Sequence, residues 1–289
     1  MPEPGPTPPP AARSCPACDA RRSEWAFVVD GFPHLRCREC GTVFVSPLPS
    51  DETIRATYLD PEYHGDVDAT EDRMRAEARA RARVMKEHGC TRVLEIGCGA
   101  GFFVEALLEL GIEAEGVDPG PQAQRAAARG LPIRPIWLEE LRPTAPYDGI
   151  GMFELLEHLP DPVTALQWSR RHTRPGATLA LSTPSASGLP ARLLGRRFPM
   201  LAPPNHLEVF SRDGIDRLLR RGGFVPTRWV SFSNLDRDTL RRGFQRFVLG
   251  RSAPARWLAH GLASAALLPA RLVDRAGLGT SFEVYAARQ

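Results

Sequence analysis

Val93-Leu94-Glu95-Ile96-Gly97-Cys98-Gly99-Ala100-Gly101 is the stretch whose reading decides the fold. An apolar, partly β-branched run ends in a loop with glycine at every second position. The pattern reads as a strand feeding a tight turn, where missing side chains let a ligand lie against the main chain. A second short run, Gly116-Val117-Asp118, ends in an acid 17 residues past Gly101. A carboxylate so placed can accept hydrogen bonds from both hydroxyls of a ribose. Glycine spacing then selects among nucleotide sites. A dinucleotide fingerprint, G-x-G-x-x-G, would put its third glycine at position 102, which is Phe102.

Outward from this loop, strand and helix patterns alternate from Thr91 onward, which predicts a parallel, doubly wound α/β sheet. Strands are expected at 92–96, 113–117, 132–136, 149–153, 178–182, 225–232 and 282–287, seven in all. Helices are expected at 101–110, 121–129, 161–172 and 213–222, with a helical insert at 236–276 broken at Pro254 and Pro269. Upstream, 69–87 has no glycine or proline and is rich in Ala, Arg and Glu, hence a long helix. Its apolar stripe, Met74, Ala78 and Met85, is thin, enough to pack one face on the main domain. Ser50-Asp51-Glu52 opens a shorter helix through Tyr58, with an N-cap serine and early acids.

The chain has 289 residues, 43% hydrophobic and 25% charged, as in an ordinary globular protein. Lys86 is the only lysine, so the 37 basic residues are nearly all arginine, a bias that composition alone explains. A net charge of +3 is too weak to argue for nucleic acid. Residues 1–12 are Pro-rich and read as a disordered leader, not a signal peptide. With no run of 18 or more apolar residues, the expected compartment is the cytoplasm, where thiols stay reduced.

In that setting six cysteines point to metal before disulfides. Cys15-x2-Cys18 and Cys37-x2-Cys40 stand 18 residues apart, a zinc-ribbon spacing over residues 13–48. Two such knuckles complete a closed four-sulfur site, which is structural and not catalytic. Its binding energy would be folding energy, on the order of 10 kcal/mol. Cys98, between the motif glycines, reads as a small packing residue. The expected organisation is therefore leader 1–12, ribbon 13–48, helical cap 49–90 and main domain 91–289.

The G-x-G-x-G loop, with Glu95 before it and Asp118 after, resembles motif I of class I S-adenosylmethionine-dependent methyltransferases. Glu154-Leu155-Leu156-Glu157-His158-Leu159-Pro160-Asp161-Pro162 is similar to the E-H-L-x-D-P segment after strand four of one large bacterial subgroup. Arg174-Pro175-Gly176-Ala177 looks like its R-P-G-G turn, and His206-Leu207-Glu208-Val209-Phe210-Ser211 like its H-L-x-x-F-S loop. Members of that subgroup often carry an N-terminal C-x-x-C…C-x-x-C module. The resemblance covers about residues 15–289 and implies a seven-stranded Rossmann-like fold with S-adenosylmethionine bound by Glu95, Gly97, Cys98, Gly99, Gly101 and Asp118, and by Glu154 at the end of strand four. Where the family often has an Asp near adenine, this chain has Trp137 followed by Leu138-Glu139-Glu140. Trp137 could stack on adenine or simply pack, and Glu139 could replace the acid.

Methyl transfer from a sulfonium needs the acceptor positioned and, for oxygen, deprotonated near neutral pH, for which His is the natural base. His158, His206 and His64 are the candidates, each weighed against a purely structural role. Arginines in 185–204 and 236–276 could hold a phosphorylated acceptor bidentately. The apolar half of the insert could line a pocket, pack a dimer, touch a membrane surface or serve as an ordinary cover. The expected reaction is O-methylation of a small-molecule or glycan intermediate. A sugar C-methyltransferase and an RNA-directed zinc-ribbon protein are the alternatives.

Overall fold

The computed structural model describes residues 13–60, 70–233 and 271–289. The leader 1–12, His64 and most of the insert at 236–276 lie outside the described residues. Two sheets form. The small one, in order β1-β2-β3-β9, joins β1 (Ser23–Val29), β2 (Phe32–Cys37) and β3 (Val43–Val45) to β9 (Glu208–Val209). The large one has seven strands in order β10-β11-β8-β7-β4-β5-β6. They are β4 (Arg92–Ile96), β5 (Glu113–Val117), β6 (Ile133–Arg134), β7 (Tyr147–Phe153), β8 (Thr173–Pro184), β10 (Phe224–Phe232) and β11 (Ser281–Arg288).

Strands β6, β5, β4, β7 and β8 run parallel; β11 is antiparallel to β8 and to β10. Central strands buried on both faces read as unbroken apolar runs. Consecutive residues of β4 accordingly serve two cores. Leu94 joins Ile150, Leu179, Leu166 and Leu218 on one face, and Val93 joins Phe103, Leu107 and Tyr285 on the other. Helices α5 (Pro162–His172) and α7 (Arg212–Gly222) cover the first face. Helices α2 (Glu71–Glu87), α3 (Phe102–Glu109) and α4 (Pro121–Ala128) cover the second. The thin stripe of α2 is enough because its buried residues, Ala78, Ala82 and Met85, let it lie close.

Two expected strands change length by three residues or more. The run at 132–136 shrinks to Ile133–Arg134, because Pro132 and Pro135 cannot donate to a ladder. The run at 178–182 extends to Thr173–Pro184, since Thr173 pairs with Tyr147 and Thr178–Pro184 pair with β11. The 185–204 stretch contributes helix α6 (Leu189–Leu194) and a 3₁₀ turn at Gly195–Arg197.

The cysteine module does not stand apart from the domain. β3 pairs with β9, Val43 opposite Val209 and Phe44 opposite Glu208. Ser211, the N-cap of α7, donates its hydroxyl to the Cys40 carbonyl and accepts from Gly214 N–H at 2.8 Å. A Cβ on Gly214 would come within 2.1 Å of Thr42 Oγ1, so glycine there allows the helix to press against the module. Among the described residues, no helix is long and apolar enough to cross a membrane.

Candidate active site

The chain leaves β4 for β5 and β6 on one side and returns to β7 on the other. At such a switch point the loops part and leave a crevice beyond the carboxyl ends of the strands. β4 runs into Gly97–Gly101, β5 into Asp118, and β7 into Glu154. The crevice has two lobes. One, about 410 Å³, is lined by Val117, Pro119, Ile136, Trp137, Leu138 and Glu139. The other, about 370 Å³, takes in Glu95, Gly99, Asp118, Glu154, Asn205 and His206. Tyr58, Gly97, Leu155 and His158 line both.

Gly97 holds φ +74°, and a Cβ there would come 2.8 Å from Leu155 Cδ1. The backbone is thus free to approach a ligand. Gly101 at φ +79° ends the loop and starts α3. Asp118 is buried, 2% exposed, and its carboxylate is oriented by backbone donors, Gly99 N–H at 3.0 Å to Oδ2 and Gly120 N–H at 2.6 Å to Oδ1. Glu95 is also buried, and its Oε2 has no partner. Burial first, and the Asp118 charge in addition, push its carboxyl well above the usual range, while Arg81 opposes them. An unpaired buried carboxyl oxygen facing a nucleoside-sized lobe fits a ligand that brings its own donors. The donor set, the glycine cradle and the apolar lobe beyond Val117 therefore fit S-adenosylmethionine.

The remaining expected residues fall into place unevenly. Cys98 is buried and packs on Gly116, where a Cβ would meet its sulfur at 2.6 Å. Its thiol is pushed well up by burial, which suits a packing residue. The Trp137 ring faces the Arg55 guanidinium at 4.4 Å and lies 6.1 Å from the Tyr58 ring. Glu154 has φ +48°, rare for a side-chain-bearing residue and a common mark of a functional site. It is held by Ser182, whose hydroxyl donates to Oε1 at 2.7 Å and whose carbonyl accepts the Glu154 N–H at 2.9 Å.

His158 and His206 meet, their rings 4.7 Å apart and nearly perpendicular. His158 Nδ1 lies 2.7 Å from the Asn205 carbonyl, and His206 Nδ1 lies 2.7 Å from the Met200 carbonyl. A carbonyl can only accept, so each Nδ1 carries a proton, and an imidazole that is neutral in this arrangement has its lone pair on Nε2. Burial pushes His206 below the ordinary imidazole value, against the Met200 carbonyl and the Glu154 charge, which raise it. Beneath the pair lies Glu157, fully buried, accepting from Thr183 Oγ1 at 3.0 Å through Oε2, with Oε1 unpartnered. Burial and the neighbouring Glu154 push Glu157 well above the usual carboxylate range. Glu157, His158 and His206 each place one donor atom within 4.8 Å of the others, a set that could hold a divalent cation or share a proton.

Cys15, Cys18, Cys37 and Cys40 converge with all four sulfurs within 4.8 Å of one another. The pairs 15–40 and 18–37 are 3.6 and 3.5 Å apart, far longer than a disulfide. Tetrahedral zinc with bonds of about 2.3 Å needs sulfur separations of about 3.8 Å. The donor set thus fits zinc.

Sequence reasoning did not foresee the part played by α1 (Asp51–Leu59) and α2. Tyr58, at the end of α1, donates to Asp118 Oδ2 at 2.9 Å. Arg73, Glu77 and Arg81 of α2 line the second lobe. The available signal was the narrowness of the α2 stripe: charged residues at helical spacing beside it had to face something.

A family profile described as a methyltransferase domain matches residues 63–228. A ubiquinone biosynthesis O-methyltransferase of Pseudomonas aeruginosa (strain LESB58) is 34% identical over 102 residues, 32% of this chain and 44% of that protein. Its namesake in Xanthomonas campestris pv. campestris (strain B100) is 33% identical over 171 residues, 51% of this chain and 72% of that protein. The chain therefore spans less than half the length of the first of these relatives. The structure of 1,6-didemethyltoxoflavin-N1-methyltransferase from Burkholderia thailandensis, with S-adenosylhomocysteine bound, superposes with a TM-score of 0.52 at 18% identity, covering 92% of this chain and 99% of that one. At that identity the likeness speaks for the Rossmann-like fold.

Proposed function

The chain belongs to the methyltransferase-domain family, its matched region being an S-adenosylmethionine-dependent methyltransferase domain, and from that premise we propose that it O-methylates a small-molecule or glycan intermediate in a biosynthetic pathway. The observation that carries the oxygen acceptor is the His158–His206 pair in the second lobe, two imidazoles whose Nδ1 atoms each face a backbone carbonyl. The relatives named for ubiquinone biosynthesis O-methylation agree with a hydroxyl acceptor.

In this reading the first lobe holds adenine against Val117, Pro119 and Ile136, with Trp137 and Glu139 at its rim. Asp118 takes the ribose. Gly97, Gly99 and Gly101 let the nucleoside lie on the backbone. Glu95 and Glu154 face the amino-acid end. The bound cofactor supplies an activated methyl group for in-line displacement. The protein positions the acceptor and accepts its proton at Nε2 of His206 or His158. Four cysteines hold zinc and brace the domain through β3 and β9.

A ribbon directed to RNA would need unpaired cations. Arg22 instead pairs with Glu39 at 3.3 Å and Arg38 with Glu24 at 3.1 Å, which weighs against that alternative. The test is calorimetric titration with S-adenosylhomocysteine, beside transfer of a tritiated methyl group from S-adenosylmethionine to phenolic, catecholic and sugar hydroxyls. Micromolar binding with label on oxygen is expected. Label on carbon or nitrogen would overturn the acceptor assignment, and no binding would overturn the enzyme reading.

A further inference from the structure

Arg13 lies two residues before the first cysteine and far from the crevice in sequence, yet its side chain joins three segments. Nε donates to the Val45 carbonyl at 2.9 Å, at the end of β3. Nη1 donates to the Pro160 carbonyl at 3.2 Å, two residues past His158. Nη2 donates to Glu208 Oε1 at 2.6 Å, two residues past His206. The guanidinium also lies over the Phe44 ring, 5.3 Å from its centre. Glu208 is fully buried and its other oxygen has no partner, so Arg13 supplies its counter-charge among the described residues.

These segments converge on the imidazole pair. Leu207 N–H donates to the Glu157 carbonyl at 2.7 Å, and Val45 N–H donates to the Leu207 carbonyl at 2.8 Å. His158 is oriented by Asn205, the residue before His206. The distance between the two rings is therefore set by how the turn at 156–160 sits against the segment at 205–209. Arg13 bonds to both from outside the crevice, with the edge of the cysteine module as third anchor. The guanidinium sends these three bonds from three different nitrogens of a planar fork, whereas an ammonium has its three donors on one nitrogen and cannot span the same separated acceptors.

We propose that Arg13 is a positioning residue for methyl transfer, fixing the spacing and tilt of His158 and His206 by clamping the backbone that follows each. The proposal rests on the reading of those histidines as acceptor-site residues. Arg13 lines neither lobe of the crevice.

The test uses the full chain, its zinc included, as wild type, Arg13→Lys and Arg13→Ala. Long-range ¹H–¹⁵N spectra of the His158 and His206 rings report which nitrogen is protonated. Zinc content, thermal midpoint and S-adenosylhomocysteine affinity are read alongside. Wild type should show protonated Nδ1 on both rings. Arg13→Lys keeps the charge beside Glu208 and should fold with full zinc and cofactor affinity within twofold. It should nevertheless lose the Nδ1–H signature on at least one ring. Wild-type ring spectra in Arg13→Lys would overturn the proposal, as would an Arg13→Ala protein that loses only thermal stability. Failure of the wild type to bind S-adenosylhomocysteine would overturn the methyltransferase reading instead, and leaves the ring spectra interpretable.

Discussion

The Tyr58 hydroxyl donates to Asp118 Oδ2 at 2.9 Å, which sets the end of helix α1 across the point where the two lobes of the crevice meet. Asp118 is the acid on which a ribose would hang. Its Oδ2 already accepts from Gly99 N–H, so Tyr58 occupies acceptor capacity that a ribose hydroxyl would use. The Tyr58 ring meanwhile packs beside Trp137, which faces Arg55 of the same helix. In the proposed reading the cap and the ribose of the cofactor compete for one carboxylate.

Tyr58→Phe removes the competitor and keeps the ring. The freed bond is worth about 1 kcal/mol, or roughly fivefold in affinity. Calorimetry should show S-adenosylhomocysteine binding several-fold tighter than in wild type. Asp118→Ala, which removes the acceptor itself, should weaken it by about 100-fold. Weaker binding by Tyr58→Phe would mean that the hydroxyl serves the bound cofactor rather than opposing it.

Gly101→Ala tests the loop. Its φ of +79° is costly for any L side chain, and the new Cβ would meet Ile133 Cδ1 at 2.5 Å and Leu131 Cδ1 at 3.0 Å. Left-handed strain and overpacking together should cost about 3 kcal/mol. For a domain of this size that lowers the thermal midpoint by roughly 6–12 °C. A midpoint within about 2 °C of wild type would show that α4 and β6 can move aside, contrary to the packing described.

What was legible in the sequence follows from range. Val93–Ile96 and Glu113–Val117 were readable because apolar runs and turn glycines are local signals. The cysteine quartet was readable because two C-x-x-C pairs at this spacing are a local signal, and the structure brings their four sulfurs together. β9 was not: two residues, Glu208–Val209, have no periodicity, and they are a strand only because β3 lies beside them. The extended β8 was hidden because Arg174-Pro175-Gly176 reads locally as a turn. The meeting of His158 with His206 could be expected only as a shared sheet edge. The Asn205 and Met200 carbonyls that fix their rings belong to backbone geometry, which side-chain chemistry does not encode.

Purified protein should contain one zinc per chain. Cys18→Ser should lose it and melt at least about 10 °C lower, because metal binding supplies folding energy on the order of 10 kcal/mol in small four-cysteine modules. The loss should also loosen β9, since β3 lies between β9 and β2, and β2 ends at Cys37. Metal analysis and hydrogen exchange at Val209 measure the two effects. Four titratable thiols and no metal in undenatured, unchelated protein would remove zinc from the account.

The imidazole pair predicts a pH profile whose sign can be worked out. A base must be neutral to accept the acceptor proton, and burial lowers His206 below its ordinary 6.5. The neutral form is therefore favoured in the folded protein, and kcat/KM should be flat near neutrality. It should fall only as pH drops through a midpoint below 6.5, where His206 takes up its proton. General-base catalysis contributes about 10²–10⁴-fold, so His206→Ala should lower kcat/KM by at least about 100-fold with S-adenosylhomocysteine affinity within twofold. If His206 is the base, the acid limb should vanish in that variant. If the limb persists and disappears instead in His158→Ala, the two rings exchange roles. His158, which lines both lobes, would then take the proton, and His206 would hold it in place.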